Sequence, residues 1–377
     1  MANNNKPKHN YIFYGTRTSA SEVEKMLAHV CQSNQNAVAK GLKQTPVCVW
    51  GRHGIGKTDL VEKFAIENGY QLTYIAPAQF EEMGDLVGMP QVAKDENGNN
   101  ITRFMPPVWV PTQATKGILL IDDVNRADDR ILRGIMQLIQ NYELISWTLP
   151  AGWQIILTAN PDGGDYSVTP MDDAMLTRMM HVTMEFEVKE WAKWAERKNI
   201  DQRGINFVLT YPEVVTGDRT TPRTLTQFFN AIAGIKDLEK ELGLVQLLGD
   251  SCLDSNTVTA FINFINSNLN KLIAPEEIVN AKEFKTQVFE PLKTMCQRGN
   301  TLRVDILATL CTRLVNYLVV NNIKPDKEQL QNIKSFIKID FLPNDIRLAM
   351  AQDIVASSNL KLIMADPEIG KLLLNRM

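Results

Sequence analysis

Residues 47–60 read VCVWGRHGIGKTDL, and the fold is decided here. Val47-Cys48-Val49-Trp50 has the unbroken apolar character of a short buried strand. Gly51 to Gly56 form a tight loop, and Thr58 opens a helix. The pattern G-x-x-x-x-G-K-[ST] therefore stands in the strand-loop-helix setting that a phosphate-binding loop requires. Backbone N–H groups of Arg52, His53, Gly54, Ile55, Gly56 and Lys57 can wrap phosphate oxygens, because glycine at 51, 54 and 56 lets the backbone approach without a Cβ clash. The following helix, with Thr58 and Asp59 in its first turn, turns its positive end toward the phosphates. Lys57 is expected to neutralise the β and γ oxygens of ATP, and the Thr58 hydroxyl to hold the hydration shell of Mg²⁺.

Outward from this loop the chain alternates strands and helices. Upstream, Ser19 to Cys31 reads as a helix capped by Ser21 with Glu24 as its reciprocal partner, and Val23, Met26, Leu27 and Val30 form its apolar stripe. Residues 1–14 read as a flexible N-terminus. Downstream, Leu60, Val61, Phe64 and Ala65 give the loop's helix an inward face, Gly69 closes it, and Gln71 to Ile75 reads as a second strand. The segment PAQFEEMGDLVGMP suggests a short helix. A hairpin follows, pairing residues 91–93 with 101–104 around Asn97-Gly98. Gly117 to Ile121 is an all-apolar strand ending in Asp122-Asp123, and Ile131 to Ile139 is an amphipathic helix. A second hairpin is read from residues 143–148 and 153–157, its later arm continuing as a central strand to Asn160. His181 to Phe186 is a fifth strand. Such interleaving means a parallel α/β sheet with ligands at the strands' carboxyl ends.

From Val188 onward periodic apolar helices dominate, with Leu302 to Val320 the clearest and residues 266–277 the nearest thing to a linker. Trp191 and Trp194, at i and i+3, read as packing residues.

The chain has 377 residues, 44% hydrophobic and 22% charged, with a formal net charge of −3. That length allows two or three domains, and the composition is that of an ordinary globular protein. An acidic balance disfavours a mainly electrostatic nucleic-acid binder. The five dispersed cysteines include no C-x-x-C pair, so they are expected to be reduced thiols of a cytoplasmic protein. Neither a signal peptide nor a membrane-spanning run is legible.

Hydrolysis of ATP needs more than a loop. A carboxylate must hold the metal's shell, a base must polarise water, and a donor must sense the γ-phosphate. Asp122 suits the metal shell together with Thr58, Asp123 the water, and Asn160 the donor.

In order and spacing, GRHGIGKT, ILLIDDVNRAD, TLPAGWQIILTANP, MDDAMLTRMM and TTPRTL resemble the AAA+ ATPases of the MoxR group. This clade carries a helix-2 insertion and includes CbbQ- and NorQ-type activators and gas-vesicle GvpN proteins, with midasin and dynein more distant. The resemblance covers roughly residues 15–270. It implies an AAA+ P-loop parallel sheet with flanking helices over 15–198, an all-α lid over 199–270 and a further helical domain over 271–377. By position it makes Asn160 sensor 1, Arg178 an arginine finger acting on a neighbouring subunit, and Arg223 sensor 2. It also implies a homo-oligomeric ring, expected to be a hexamer, whose hairpins rim a pore and whose protein client carries a von Willebrand A domain. Where the family has Asp-Glu this chain has Asp122-Asp123, one methylene shorter, so slow hydrolysis is expected. Two alternatives accompany this reading: a nucleic-acid motor or restriction component, and a nucleotide-gated scaffold with little turnover.

Overall fold

Six parallel strands organise the first half of the chain. The structure is a computed structural model, and it describes residues 12–163, 167–213, 217–298, 301–356, 367 and 369. From the amino end the elements are β1 (Thr16–Thr18), α1 (Ala20–Ala39), β2 (Val47–Trp50), α2 (Lys57–Glu67), β3 (Gln71–Ile75), α3 (Met83–Val87), the pair β4 (Met89–Lys94) and β5 (Asn100–Met105), β6 (Gly117–Ile121), α4 (Asp129–Asn141), the pair β7 (Glu143–Leu144) and β8 (Trp147–Thr148), β9 (Trp153–Ala159), α5 (Asp173–Leu176) and β10 (Met180–Met184). One sheet runs β1-β10-β2-β9-β6-β3, every neighbouring pair parallel. Because β9 lies between β2 and β6, the carboxyl ends of these three strands sit side by side.

Alternation along the strands divides the core between two faces. Val47, Val49, Ile118, Leu120 and Ile156 pack on Val23 and Leu27 of α1 and on Leu60, Val61 and Phe64 of α2. On the other face Cys48, Trp50, Leu119, Ile121, Ile155 and Leu157 meet Ile131, Ile135 and Leu138 of α4. Strands β2, β6 and β9 are buried along their whole length, as central strands covered by helices on both sides must be. Each fully buried aliphatic side chain contributes about 1.5–3 kcal/mol.

Several local expectations are corrected. Ser19, not Ser21, caps α1, its Oγ accepting the Glu22 N–H at 3.4 Å. The polar triplet Thr16–Thr18, unread as a strand, pairs with β10 at the sheet edge. The second hairpin is shorter than expected: Glu143–Leu144 folds back onto Trp147–Thr148, while Trp153 pairs in parallel with Gly117. An added Cβ on Gly117 would lie 2.5 Å from the Trp153 indole, so the bare glycine admits the ring that begins β9. The first hairpin is the expected one, extended by two residues toward Met89 and one toward Met105. Its turn is held by the Asp95 carboxylate, which accepts the N–H groups of Asn97 and Asn99 at 2.9 and 2.8 Å. Of the expected flexible N-terminus, residues 1–11 lie outside the described residues. Ile12 is tied by two backbone hydrogen bonds to Asp162, at 2.9 and 3.2 Å.

Residues from Val188 onward pack as a second unit. It comprises α6 (Val188–Arg197), α7 (Gln202–Thr210), α8 (Pro222–Ile232), α9 (Leu242–Cys252), α10 (Ser255–Asn266), α11 (Pro275–Val279), α12 (Glu290–Cys296), the short pair β11 (Gln297–Arg298) and β12 (Thr301–Leu302), α13 (Val304–Val320), α14 (Lys327–Ile337) and α15 (Asn344–Ala356). The first unit ends at Glu187. Phe207, Phe228, Phe229, Phe261 and Phe264, all buried, make an aromatic centre. Trp191 packs against Phe229 with ring centroids 6.2 Å apart. Arg313 of α13 donates to Glu196 of α6 at 3.0 Å and to Asn206 of α7 at 2.8 Å. The expected linker at 266–277 is not an exposed tether, because Leu269, Leu272 and Ile273 are buried. The expected helices beyond residue 356 lie outside the described residues, apart from helical Pro367 and Ile369. All five cysteines are free, and among the described residues no helix is long and apolar enough to cross a membrane.

Candidate functional site

The phosphate loop leaves the carboxyl end of β2 and turns into α2 at Gly56, whose φ of 94° lies in the left-handed region that favours glycine. At Gly51 the constraint is space, since an added Cβ would meet the Met184 carbonyl oxygen at 2.9 Å and the Ile55 side chain at 2.6 Å. Lys57, the first residue of α2, is 6% exposed. Its ammonium donates to the carbonyl oxygens of Gly51 at 2.9 Å and Arg52 at 3.2 Å, and to Asn160 Oδ1 at 3.1 Å. These contacts hold the ammonium at the carboxyl end of β2, between the phosphate loop and Asn160.

Asn160 follows the last residue of β9 and is fully buried. Its main chain is clamped by a residue the sequence reading passed over. Asn125 accepts the Asn160 N–H at 3.0 Å and donates to the Asn160 carbonyl at 2.7 Å. The Asn160 side-chain nitrogen Nδ2, buried beside Lys57, has no hydrogen-bond partner among the described residues. Such an orphaned donor fits a ligand oxygen.

Asp122 stands at the tip of β6, and three hydroxyls converge on its carboxylate. Thr58 and Thr158 donate to Oδ1 at 2.8 and 2.6 Å, and Tyr74 donates to Oδ2 at 3.1 Å. Desolvation and the Asp122 charge push the Tyr74 phenol up to about 12, so it stays a donor. Asp123 adopts φ 47°, ψ 46°, and its carboxylate lies 3.2 Å from the Arg126 guanidinium. Thr58 and Asp122 together suit a hydrated divalent cation. With the Gly51 cradle and the Asn160 donor, the arrangement fits a Mg²⁺–nucleoside triphosphate.

The remaining expected residues lie as follows. Arg52, His53, Gly54 and Ile55 form the loop itself and Asp59 lies exposed in the first turn of α2. Arg178 precedes β10, whose first residue Met180 pairs with Val47, the first residue of β2. Arg178 therefore lies at the amino edge of the sheet, opposite the phosphate loop. There it donates to Gln140 at 2.9 Å and to the Ala174 carbonyl. Arg223 belongs to the second unit, exposed in the first turn of α8.

Behind the site, Trp50 Nε1 donates to His181 Nδ1 at 2.9 Å, and the other ring nitrogen of His181 lies 2.7 Å from the Leu176 carbonyl, which fixes its tautomer. Tyr14 packs on Trp50 at 4.6 Å between centroids.

Residues 46–179 match the model of the AAA domain of the dynein-related subfamily. A curated relative, midasin of Giardia intestinalis, is 26% identical over 160 residues; the match covers 40% of this chain and 3% of that protein. Among solved structures, the RuvB Holliday junction branch migration motor of Thermotoga maritima is similar at TM-score 0.36 and 14% identity, over 73% of this chain and 80% of that one. A putative ATPase of Cytophaga hutchinsonii is similar at TM-score 0.31 and 14% identity, over 89% of each chain.

Proposed function

We propose, from the match of residues 46–179 to the AAA domain of the dynein-related subfamily, that this chain is a ring-forming ATPase of the MoxR type that remodels or loads a protein partner. The observation that carries the proposal is the convergence of Lys57, Thr58, Asp122 and Asn160 at the carboxyl ends of β2, β6 and β9. Lys57 and the Asn160 amide are assigned to the β- and γ-phosphates, Thr58 and Asp122 to the magnesium shell, and Asp123 to orienting water. Bound Mg²⁺ would supply a Lewis-acid charge on the phosphate oxygens.

Arg178, at the far edge of its own sheet, is assigned to the nucleotide of the adjacent copy, so turnover requires assembly. Residues 199–270 are assigned to a lid that senses nucleotide through Arg223, and 271–377 to a further helical domain. The ring is proposed as a homo-hexamer in the cytoplasm, with the β4–β5 and β7–β8 pairs rimming its pore and a client bearing a von Willebrand A domain. Nucleotide-driven lid movement would then be relayed to the client through those pairs.

Asp123 is one methylene shorter than glutamate and its carboxylate is engaged by Arg126. Both features support slow hydrolysis. Phosphate release from ATP and Mg²⁺ by wild type, Asp123→Asn and Asp123→Glu tests the enzyme claim: wild type turns over, the Asn variant binds ATP without turnover, and the Glu variant is at least as fast as wild type. If neither wild type nor the Glu variant releases phosphate while both bind ATP, the chain is a nucleotide-gated scaffold instead.

A further inference from the structure

Thr158 carries the one hydroxyl of β9, WQIILTA, and it is fully buried. Its Oγ accepts the Asp123 N–H at 2.8 Å and donates its single proton to Asp122 Oδ1 at 2.6 Å. As a bare strand residue, threonine needs only its β-branch, and valine would fill the same space without a buried hydroxyl to satisfy. What sets this hydroxyl apart is the pair it joins. One bond fixes the rotamer of the carboxylate that Thr58 also reaches, at 2.8 Å. The other anchors the backbone of the next residue.

Asp123 needs that anchor. A non-glycine residue at φ 47° persists only where its surroundings determine it. Here the Thr158 hydroxyl holds the Asp123 N–H, and the Asp123 carbonyl accepts the Arg126 N–H at 2.9 Å. Thr158 enters from the strand between β2 and β6, so the fold itself sets its reach to both acidic residues.

We propose that Thr158 is a positioning residue that locks Asp122 and Asp123 into one unit, coupling the magnesium-shell carboxylate to the carboxylate that orients water. The proposal rests on the nucleotide reading given above. Without the hydroxyl, Asp122 keeps only the Thr58 and Tyr74 donors and the Asp123 N–H loses its acceptor, so both metal affinity and turnover fall.

The test uses the full chain as wild type, Thr158→Val and Thr158→Ser. Three quantities are read: the Mg²⁺ concentration at half-maximal ATP binding by calorimetry, kcat and KM for ATP at saturating Mg²⁺, and hydrogen exchange of the Asp123 amide without nucleotide. In Thr158→Val the half-saturating Mg²⁺ rises about tenfold and kcat falls about a hundredfold, the scale of a displacement near 1 Å. KM for ATP stays within about threefold, and the Asp123 amide exchanges faster. Thr158→Ser restores all of these to within about threefold of wild type. The proposal is overturned if Thr158→Val matches wild type in Mg²⁺ dependence and Asp123 exchange, or if the Ser variant is as impaired as the Val variant while melting at the wild-type temperature. Should wild type take up no ATP at any Mg²⁺ concentration, the nucleotide reading fails by itself. Exchange at Asp123 then still decides whether Thr158 tethers the acidic pair.

Discussion

Asn125 and Asn160 are joined by two hydrogen bonds, the side-chain carbonyl of Asn125 accepting the Asn160 N–H at 3.0 Å and its amide donating to the Asn160 carbonyl at 2.7 Å. Both residues are fully buried. The clamp fixes the chain just past β9, where the Asn160 side-chain oxygen meets Lys57. Asn125→Ala leaves a buried N–H and a buried carbonyl without partners, and such groups cost about 1–3 kcal/mol each. Urea unfolding is therefore expected to show a loss of about 3 kcal/mol. A loss below about 1 kcal/mol in Asn125→Ala contradicts the clamp.

The phosphate loop was legible because glycine, lysine and threonine occur in a fixed local order, and because strand and helix flank them. Asp122 was legible for a similar reason, being the charge that ends an unbroken apolar run. Asn125 and Thr158 were not, since their roles depend on partners 35 and 36 positions away and no local pattern records that distance. Strand β1 was missed because TRT is polar and takes its strand character only from pairing with β10. The second hairpin was drawn too long because Leu149 to Gly152 has turn chemistry on either reading. Only the sheet order sends Trp153 to Gly117.

Asp162, two residues beyond Asn160, is 8% exposed. Burial pushes its carboxyl above the ordinary 3.8, against the lowering effect of its hydrogen bonds, among them one from the Tyr14 hydroxyl. The folded state thus holds this proton more tightly than the unfolded state. Stability from this group is greatest at low pH and declines as pH rises from 3.8 through the raised folded value. Asp162→Asn removes the titration while keeping an acceptor for Tyr14. Denaturant unfolding at pH 4 and pH 7 is expected to show the Asn variant gaining on wild type at the higher pH. A difference that stays constant across that range contradicts the assignment.

Uptake of ATP at the loop ending in Lys57 tests the central claim most directly. Isothermal titration of ATP with Mg²⁺ into wild type is expected to show one site per chain. Lys57→Ala, with its fold confirmed by circular dichroism, is expected to bind about a hundredfold more weakly, the scale of losing one or two charged hydrogen bonds. Equal affinity in the two proteins, or no uptake of any purine triphosphate by wild type, would contradict the account.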